Sequence, residues 1–276
     1  AGKIGAASLA DLRSIPADKL LDESFNNGMA GASATVDGYF LTELPVKTFA
    51  DGKQAHVPLL AGWNSAEVSY PSLLKTAVPT PENYAKTIRE IYGQKSETVL
   101  KLYPGTTTEE VISSATALAS DRFIVYSTWK WIDLQSQTGG KPVYRYLFSK
   151  SKPPVTAEMK DATPGLAGGI IKGNGTAKKA VISAGAPHAF EIEYALGNLD
   201  YNKVYAWTAD DHKVSATMEQ YFANFIKTGD PNGTALPQWP AIEKNKVNYI
   251  NIDVKTKAET EKNKARYLFL DKEYIQ

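Results

Sequence analysis

The 276-residue sequence predicts an α/β fold, in which a mostly parallel β-sheet is flanked by helices. Short apolar runs that are typical of buried strands alternate with longer segments that have helical periodicity. Apolar residues make up 43% of the chain and charged residues 22%, which is ordinary usage for a globular protein. The sequence contains no internal repeat, so we expect one domain rather than an array of small units.

The first quarter of the chain predicts two elements before the first buried strand. Ser8 to Leu21 has a helical pattern that is broken at Pro16, because proline cannot continue a helix. Val36 to Leu41 predicts a turn into a short extended segment. Val57 to Gly62 is a short apolar run beside a glycine, which favours a buried parallel strand.

Two helical regions and a second strand are predicted in the middle of the chain. Thr80 and Pro81 open the first helix, since these residues are favoured at the N-cap and at the first helical position. Gly93 is placed to end it. The second helical region runs from about Thr108 to Gln137, and the alternating, aromatic run from Val143 to Phe148 predicts a strand.

The last third of the chain predicts one long helix and two strands. Val214 to Thr228 has apolar residues three and four positions apart, and Gly229 follows as a C-cap. Val247 to Ile252 and Ala265 to Leu270 are the predicted strands. Lysine and glutamate are mixed from Lys255 to Arg266, which indicates a solvated edge or hairpin.

The composition argues against several classes of function. Lysine and arginine number 31 against 30 acidic residues, so no strong field attracts nucleic acid or an anionic membrane. The absence of cysteine excludes disulfide scaffolds, Cys-containing zinc sites, iron–sulfur clusters and cysteine nucleophiles. No apolar run reaches the roughly 18 residues that a membrane-spanning helix needs. We therefore expect no nucleic-acid partner and no membrane span, while the cellular compartment stays open.

Four patterns, in this order along the chain, resemble the type B carboxylesterases, the family that includes the cholinesterases. They are Val36 to Leu41 with Leu44 to Glu67, Ser120 to Phe148, Gly185 to Leu199, and Tyr221 to Ile242. In that family, these patterns are the segment that ends in the triad acid, a long helix with its following strand, the histidine loop and a C-terminal signature. The resemblance covers nearly the whole chain and implies an α/β-hydrolase fold.

The resemblance implies a Ser-Glu-His catalytic triad, of which this chain carries two members. Glu67 matches the acid of the family and His188 matches its histidine. The α/β-hydrolases have the order serine, acid, histidine, and their serine lies in a Gly-x-Ser-x-Gly elbow. The nearest pattern, around Ser33, lacks the final glycine, so Ser33 is not the predicted nucleophile. We expect the serine upstream of residue 1, which makes this chain the C-terminal half of the family's catalytic domain.

Both triad candidates have a simpler interpretation. A lone glutamate is most often a solvated loop residue, and a lone histidine is most often structural or exposed. The chain also departs from the family pattern, because the glycines that usually follow the acid and the histidine are replaced by Val68 and Ala189. His56 and His212 are expected to be structural or surface residues.

Several residues near the two candidates in sequence could serve the site. Substrate-pocket candidates are the aromatic residues Trp63, Tyr70, Phe190 and Tyr194, for which a place in the packed core is an equal alternative. Structural roles are expected for Glu191 and Glu193. The glycine-rich segment from Gly168 to Gly175 satisfies neither phosphate-loop pattern and predicts a flexible loop that could act as a flap over the site.

We therefore expect a carboxylic-ester hydrolase whose partners are a small-molecule ester substrate and the N-terminal half of the same protein. The resemblance implies no metal and no organic cofactor. Without the nucleophile, residues 1–276 alone are expected to be inactive. The alternative is a family member that has lost its serine and acts as a binding or adhesion module. Retention of both Glu67 and His188 argues against that alternative, and the residue at the upstream elbow would decide.

Overall fold

A computed structural model describes residues 1–26, 34–164, 170–172, 185–243 and 247–274. The chain divides into two compact units, which comprise residues 1–47 and 48–276. Helices α1 (Leu9–Ser14) and α2 (Ala17–Asn26) lie in the first unit and are separated at the proline, as predicted. The extended segment predicted after Val36 is wrong, because the Asp37 carboxylate accepts hydrogen bonds from three following backbone N–H groups and holds a turn.

The second unit is built on a four-stranded sheet with the strand order β1-β2-β5-β6. The strands of the described chain are β1 (Leu59–Asn64), β2 (Val143–Phe148), β3 (Ala162–Pro164), β4 (Ile170–Lys172), β5 (Asn248–Ile252) and β6 (Lys257–Thr260). β1, β2 and β5 are parallel, whereas β6 runs antiparallel to β5 at one edge. β3 and β4 form a separate antiparallel pair. The predicted parallel strands are confirmed to within two residues, and β6 is the predicted solvated edge.

Further α-helices follow along the described chain. They are α3 (Pro45–Ala50), α4 (Pro71–Leu74), α5 (Pro81–Tyr92), α6 (Ser96–Leu102), α7 (Thr108–Ser120), α8 (Tyr126–Thr138), α9 (Ile192–Ala195), α10 (Ala209–Thr228) and α11 (Lys264–Tyr274). Thr80 caps α5 and Gly229 ends α10 in a left-handed conformation, both as predicted. A π-helical turn, Asp121–Val125, joins α7 to α8. None of the helices in the described ranges is long and apolar enough to cross a membrane.

The strand predicted at Ala265 to Leu270 is wrong, because this segment belongs to α11. Its buried side chains, Tyr267 and Leu270, are three residues apart and so lie on one face of a helix. The Tyr267 ring packs on Trp63 and Trp129, with centroid distances of 6.0 and 5.5 Å. This contact buries the helix against the β1 side of the sheet.

Candidate active site

The carboxyl end of β1 lies beside the segment that begins at residue 185. β1 ends at Asn64, and Glu67 follows three residues later. Two backbone hydrogen bonds join the neighbouring loops: Ala66 N donates to Ala186 O at 2.9 Å, and His188 N donates to Glu67 O at 3.1 Å. Open α/β sheets gather functional loops at the carboxyl ends of their strands. These bonds hold two loops that lie 121 residues apart in the chain.

The side chains of Glu67 and His188 form a hydrogen-bonded pair. His188 Nδ1 lies 2.6 Å from Glu67 Oε2. The other carboxylate oxygen, Oε1, accepts a bond from Asn64 N at 2.7 Å, and Glu67 is buried. In the neutral imidazole tautomer that donates from Nδ1 to this carboxylate, the lone pair lies on Nε2. The imidazole side chain is 32% exposed, so this lone pair belongs to a group that solvent reaches.

An aromatic ring that sequence reasoning did not single out packs against the histidine. The rings of Phe123 and His188 meet edge to face, with a centroid distance of 5.1 Å and an interplanar angle of 83°. Phe123 lies on the π-helical turn and is 52% exposed. Within the described residues, His188 Nε2 makes no hydrogen bond, and the imidazole side chain is part-exposed.

A groove of about 490 Å³ adjoins this contact. It runs past Val68, which follows the acid, and past Phe123 and Arg122 on the π-helical turn. Its walls combine apolar side chains with two cations, Arg122 and Lys75. Sequence reasoning could not have found it, because the helices that line it pack together only in the folded chain.

Asn64 links the acid to the histidine loop, because its backbone N–H donates to Glu67 and its carboxamide donates to the loop. Asn64 is 1% exposed, and its Nδ2 donates to Pro187 O at 2.7 Å and to the Glu191 carboxylate. Burial raises the pKa of Glu191, and the bond from Asn64 partly offsets that rise. A second, part-buried carboxylate therefore lies in the same loop as the histidine.

Val68 and Ala189, which stand where the family usually has glycine, differ in backbone strain. Among the described non-glycine residues, only Lys75, Ala189 and Ala235 have a positive φ, so Val68 is not strained in this way. Ala189, directly after the histidine, has a φ of 61°. A Cβ atom makes this left-handed conformation unfavourable, which explains why glycine is usual there.

We expect Ala189→Gly to stabilise the chain by about 1 kcal/mol, because glycine adopts a positive φ without steric cost. This corresponds to a rise in Tm of about 2–4 °C. Thermal unfolding of the two proteins measures it. Ala186→Gly is a matched control in the same loop, since Ala186 does not have a positive φ, and it should lower Tm. A lower Tm for both variants would show that position 189 is not strained.

The aromatic pocket candidates are packed side chains. Trp63 is 5% exposed and lies under the Arg145 guanidinium, 4.6 Å from the ring centroid. Phe190 is 4% exposed in a cluster with Tyr194. Tyr70 precedes α4 and packs against the buried apolar cluster that α4, α5, α6 and α7 form. Their proposed contact with substrate stays a prediction, and Phe123 is the aromatic residue that touches the histidine.

The remaining sequence candidates lie apart from this pair or outside the described residues. His56 Nε2 lies 3.1 Å from Gly52 O, and His212 lies 3.6 Å from Asp200 on the surface. Ser33 lies outside the described ranges, as does most of the glycine-rich segment predicted as a flap.

Comparison with known proteins finds carboxylesterases that are similar to this chain. The model of the carboxylesterase family matches residues 6–270. Carboxylesterase 4A of Bos taurus is 27% identical over 239 residues, which are 82% of this chain and 39% of that protein. Liver carboxylesterase of Sus scrofa is 26% identical, over 81% of this chain and 38% of that protein. The chain thus spans about two fifths of the length of these relatives.

Solved structures share the fold. PNB esterase superposes with a TM-score of 0.63 at 21% identity, over 94% of this chain and 50% of that one. A thermophilic PNB esterase superposes with a TM-score of 0.64 at 21% identity, over 95% of this chain and 50% of that one. The predicted fold, part of an α/β-hydrolase with a mostly parallel sheet flanked by helices, is confirmed. With a family model that matches almost its full length, the chain belongs to the carboxylesterase family.

Proposed function

We propose that this chain provides the acid and the histidine of a Ser-Glu-His triad that hydrolyses carboxylic esters. The observation that carries the proposal is the 2.6 Å contact between His188 Nδ1 and Glu67 Oε2, which leaves Nε2 as an acceptor. A buried carboxylate that fixes the tautomer of a part-exposed imidazole is the arrangement that a general base requires. Membership of the carboxylesterase family supports the same reaction.

In the proposed reaction, His188 Nε2 takes the proton of a serine hydroxyl as the serine oxygen attacks the ester carbonyl. The tetrahedral intermediate collapses, the proton passes from Nε2 to the leaving alcohol, and an acyl-serine remains. Water then attacks the acyl-serine with His188 again as base, which releases the carboxylic acid and restores the serine. Glu67 stabilises the imidazolium in both half-reactions and keeps its own charge.

We propose that the serine comes from an upstream segment of the same polypeptide, which forms one catalytic domain with residues 1–276. The position of β1 supports this. In the described sheet, β1 is an edge strand, although three of its six residues are buried. An unpaired strand edge is a template for another strand. A parallel strand added there would end beside the loop that carries Glu67, as the elbow of a nucleophile requires.

Labelling with a serine-directed fluorophosphonate tests the proposal. We expect residues 1–276 alone to show no label and no turnover of p-nitrophenyl acetate. The polypeptide extended upstream should be labelled on one serine outside these residues and should turn over the ester. Label on a serine within residues 1–276 would overturn the assignment of the nucleophile. An extended protein that has neither an elbow serine nor turnover would support the binding-module alternative.

The acyl group and the leaving group of the ester are not specified by the proposed triad. The relatives include proteins named acylcarnitine hydrolase, from Mus musculus, and fatty acyl-CoA hydrolase, from Anas platyrhynchos. These names cover different leaving groups, so we propose only the carboxylic-ester class for this chain. A series of p-nitrophenyl esters of increasing acyl length would measure the acyl preference of the extended protein.

A further inference from the structure

We propose that Asn64 is a positioning residue, which sets the orientation of His188 relative to Glu67. This inference rests on the proposed esterase function. Asn64 is the last residue of β1 and is 1% exposed. Its place at the end of a sheet strand gives it a fixed backbone, from which both loops of the site can be held.

Asn64 donates hydrogen bonds to Glu67 and to two acceptors in the histidine loop. Its backbone N–H donates to Glu67 Oε1 at 2.7 Å, which fixes the carboxylate so that Oε2 faces the imidazole. Its Nδ2 donates to Pro187 O at 2.7 Å and to the Glu191 carboxylate. These two acceptors lie one residue before and three residues after His188. The Asn64 side chain therefore hydrogen-bonds to the histidine loop on both sides of His188.

The carboxamide orientation follows from its partners. A backbone carbonyl and a carboxylate both accept hydrogen bonds, so the two N–H groups of Nδ2 must face them. Asn64 Oδ1 is then buried and has no partner among the described residues. A buried unsatisfied acceptor costs about 1–3 kcal/mol. Asparagine at this position is thus a poor choice for stability alone, which favours a role in the site.

Asn64 also contacts two carboxylates, the buried one of Glu67 and the part-buried one of Glu191. Burial raises the pKa of Glu191, and the nearby charge of Glu67 raises it further. Asn64 gives each carboxylate a donor and adds no charge of its own. Aspartate has the same shape but would bring a third acidic group against Glu191 and Pro187 O. The structure therefore predicts that Asn64→Asp is more harmful than Asn64→Ala.

Kinetics and a proton resonance together test this role. In the upstream-extended protein, we expect Asn64→Ala to lower kcat for p-nitrophenyl butyrate about 10- to 100-fold, with little change in KM, because a small misplacement of the base slows proton transfer. In residues 1–276, the His188 Nδ1 proton should give a low-field resonance, since it lies in a short bond to a carboxylate. That resonance should weaken or disappear in Asn64→Ala. Asn64→Ser keeps one side-chain donor, so it should retain part of kcat and part of the low-field resonance. It replaces Asn64→Ala in both measurements if the alanine variant does not fold.

Asn224 offers a matched control. Its Nδ2 also bridges two backbone carbonyls, Pro231 O at 3.2 Å and Asn232 O at 3.1 Å, but it contacts neither member of the pair. Asn224→Ala should lower stability without changing kcat or the resonance. If the Asn64 variants behave in the same way, Asn64 is only structural and the inference falls. If the resonance depends on Asn64 but no ester is turned over, positioning stands and the proposed function fails.

Discussion

We expect His188→Ala to lower kcat for p-nitrophenyl acetate by about 10⁴- to 10⁶-fold in the upstream-extended protein. The variant removes the only group that, in the proposed mechanism, moves the proton from serine to the leaving alcohol. The imidazole is already oriented by the 2.6 Å contact with Glu67, and solvent reaches 32% of its surface. Steady-state turnover and the rate of fluorophosphonate labelling measure the loss. Both should fall, because the same base activates serine toward the ester and toward the label.

His212→Ala is the matched control for this prediction. His212 is a second histidine whose ring is half exposed, and its ion-pair contact is with Asp200 at 3.6 Å. We expect its removal to leave kcat within about twofold, because its surface contact with Asp200 touches neither Glu67 nor His188 and contributes at most about 1 kcal/mol to stability. Equal losses in both variants would point to a general effect on folding. Full activity in His188→Ala would end the triad proposal.

The contact between Glu67 and His188 could be anticipated because the resemblance preserved their order in the chain. Periodicity alone would not have found it. The two residues are 121 positions apart, and they meet because the loop after β1 pairs with the histidine loop through backbone bonds. The β1 and β2 strands were predictable from short apolar runs, since parallel strands bury both faces.

Other parts of the site left no signal in the sequence. Phe123 lies on a π-helical turn, which changes the periodicity of a helix for one turn and so escapes a 3.6-residue pattern. Asn64 is a polar residue at the end of a strand, where burial cannot be inferred without its partners. The wrong strand prediction at Ala265 to Leu270 arose because the sequence there did carry a signal. The segment is rich in strand-forming residues, and the tertiary contacts of Tyr267 override that local preference in α11.

The π-helical turn that carries Phe123 begins at a buried ion pair. Asp121 Oδ2 accepts bonds from Arg266 Nε at 2.9 Å and from Tyr103 Oη at 2.8 Å. The Arg266 guanidinium also lies 4.5 Å from the centroid of the Tyr103 ring. Asp121 is 3% exposed. Burial raises the pKa of Asp121, and Arg266 partly offsets that rise.

We expect Arg266→Met to lower the free energy of unfolding by about 3–5 kcal/mol, because it leaves the Asp121 carboxylate buried without its cation. The pH dependence has a definite sign. Loss of the cation raises the pKa of Asp121 further, so lowering the pH protonates the folded state first and removes the penalty. The deficit should therefore shrink as the pH falls. Urea unfolding at several pH values measures both effects.

Two comparisons separate charge from packing in this prediction. Lys95→Met removes one partner of the exposed pair that Lys95 makes with Glu273, also on α11, at 2.8 Å, and should cost less than about 1 kcal/mol. Adding Asp121→Asn to Arg266→Met should recover part of the loss, since the unpaired charge is then gone. A double variant no more stable than Arg266→Met, with no effect of pH, would mean that Arg266 acts through its stacking on Tyr103. Recovery would identify the buried, unpaired charge of Asp121 as the cause of the loss.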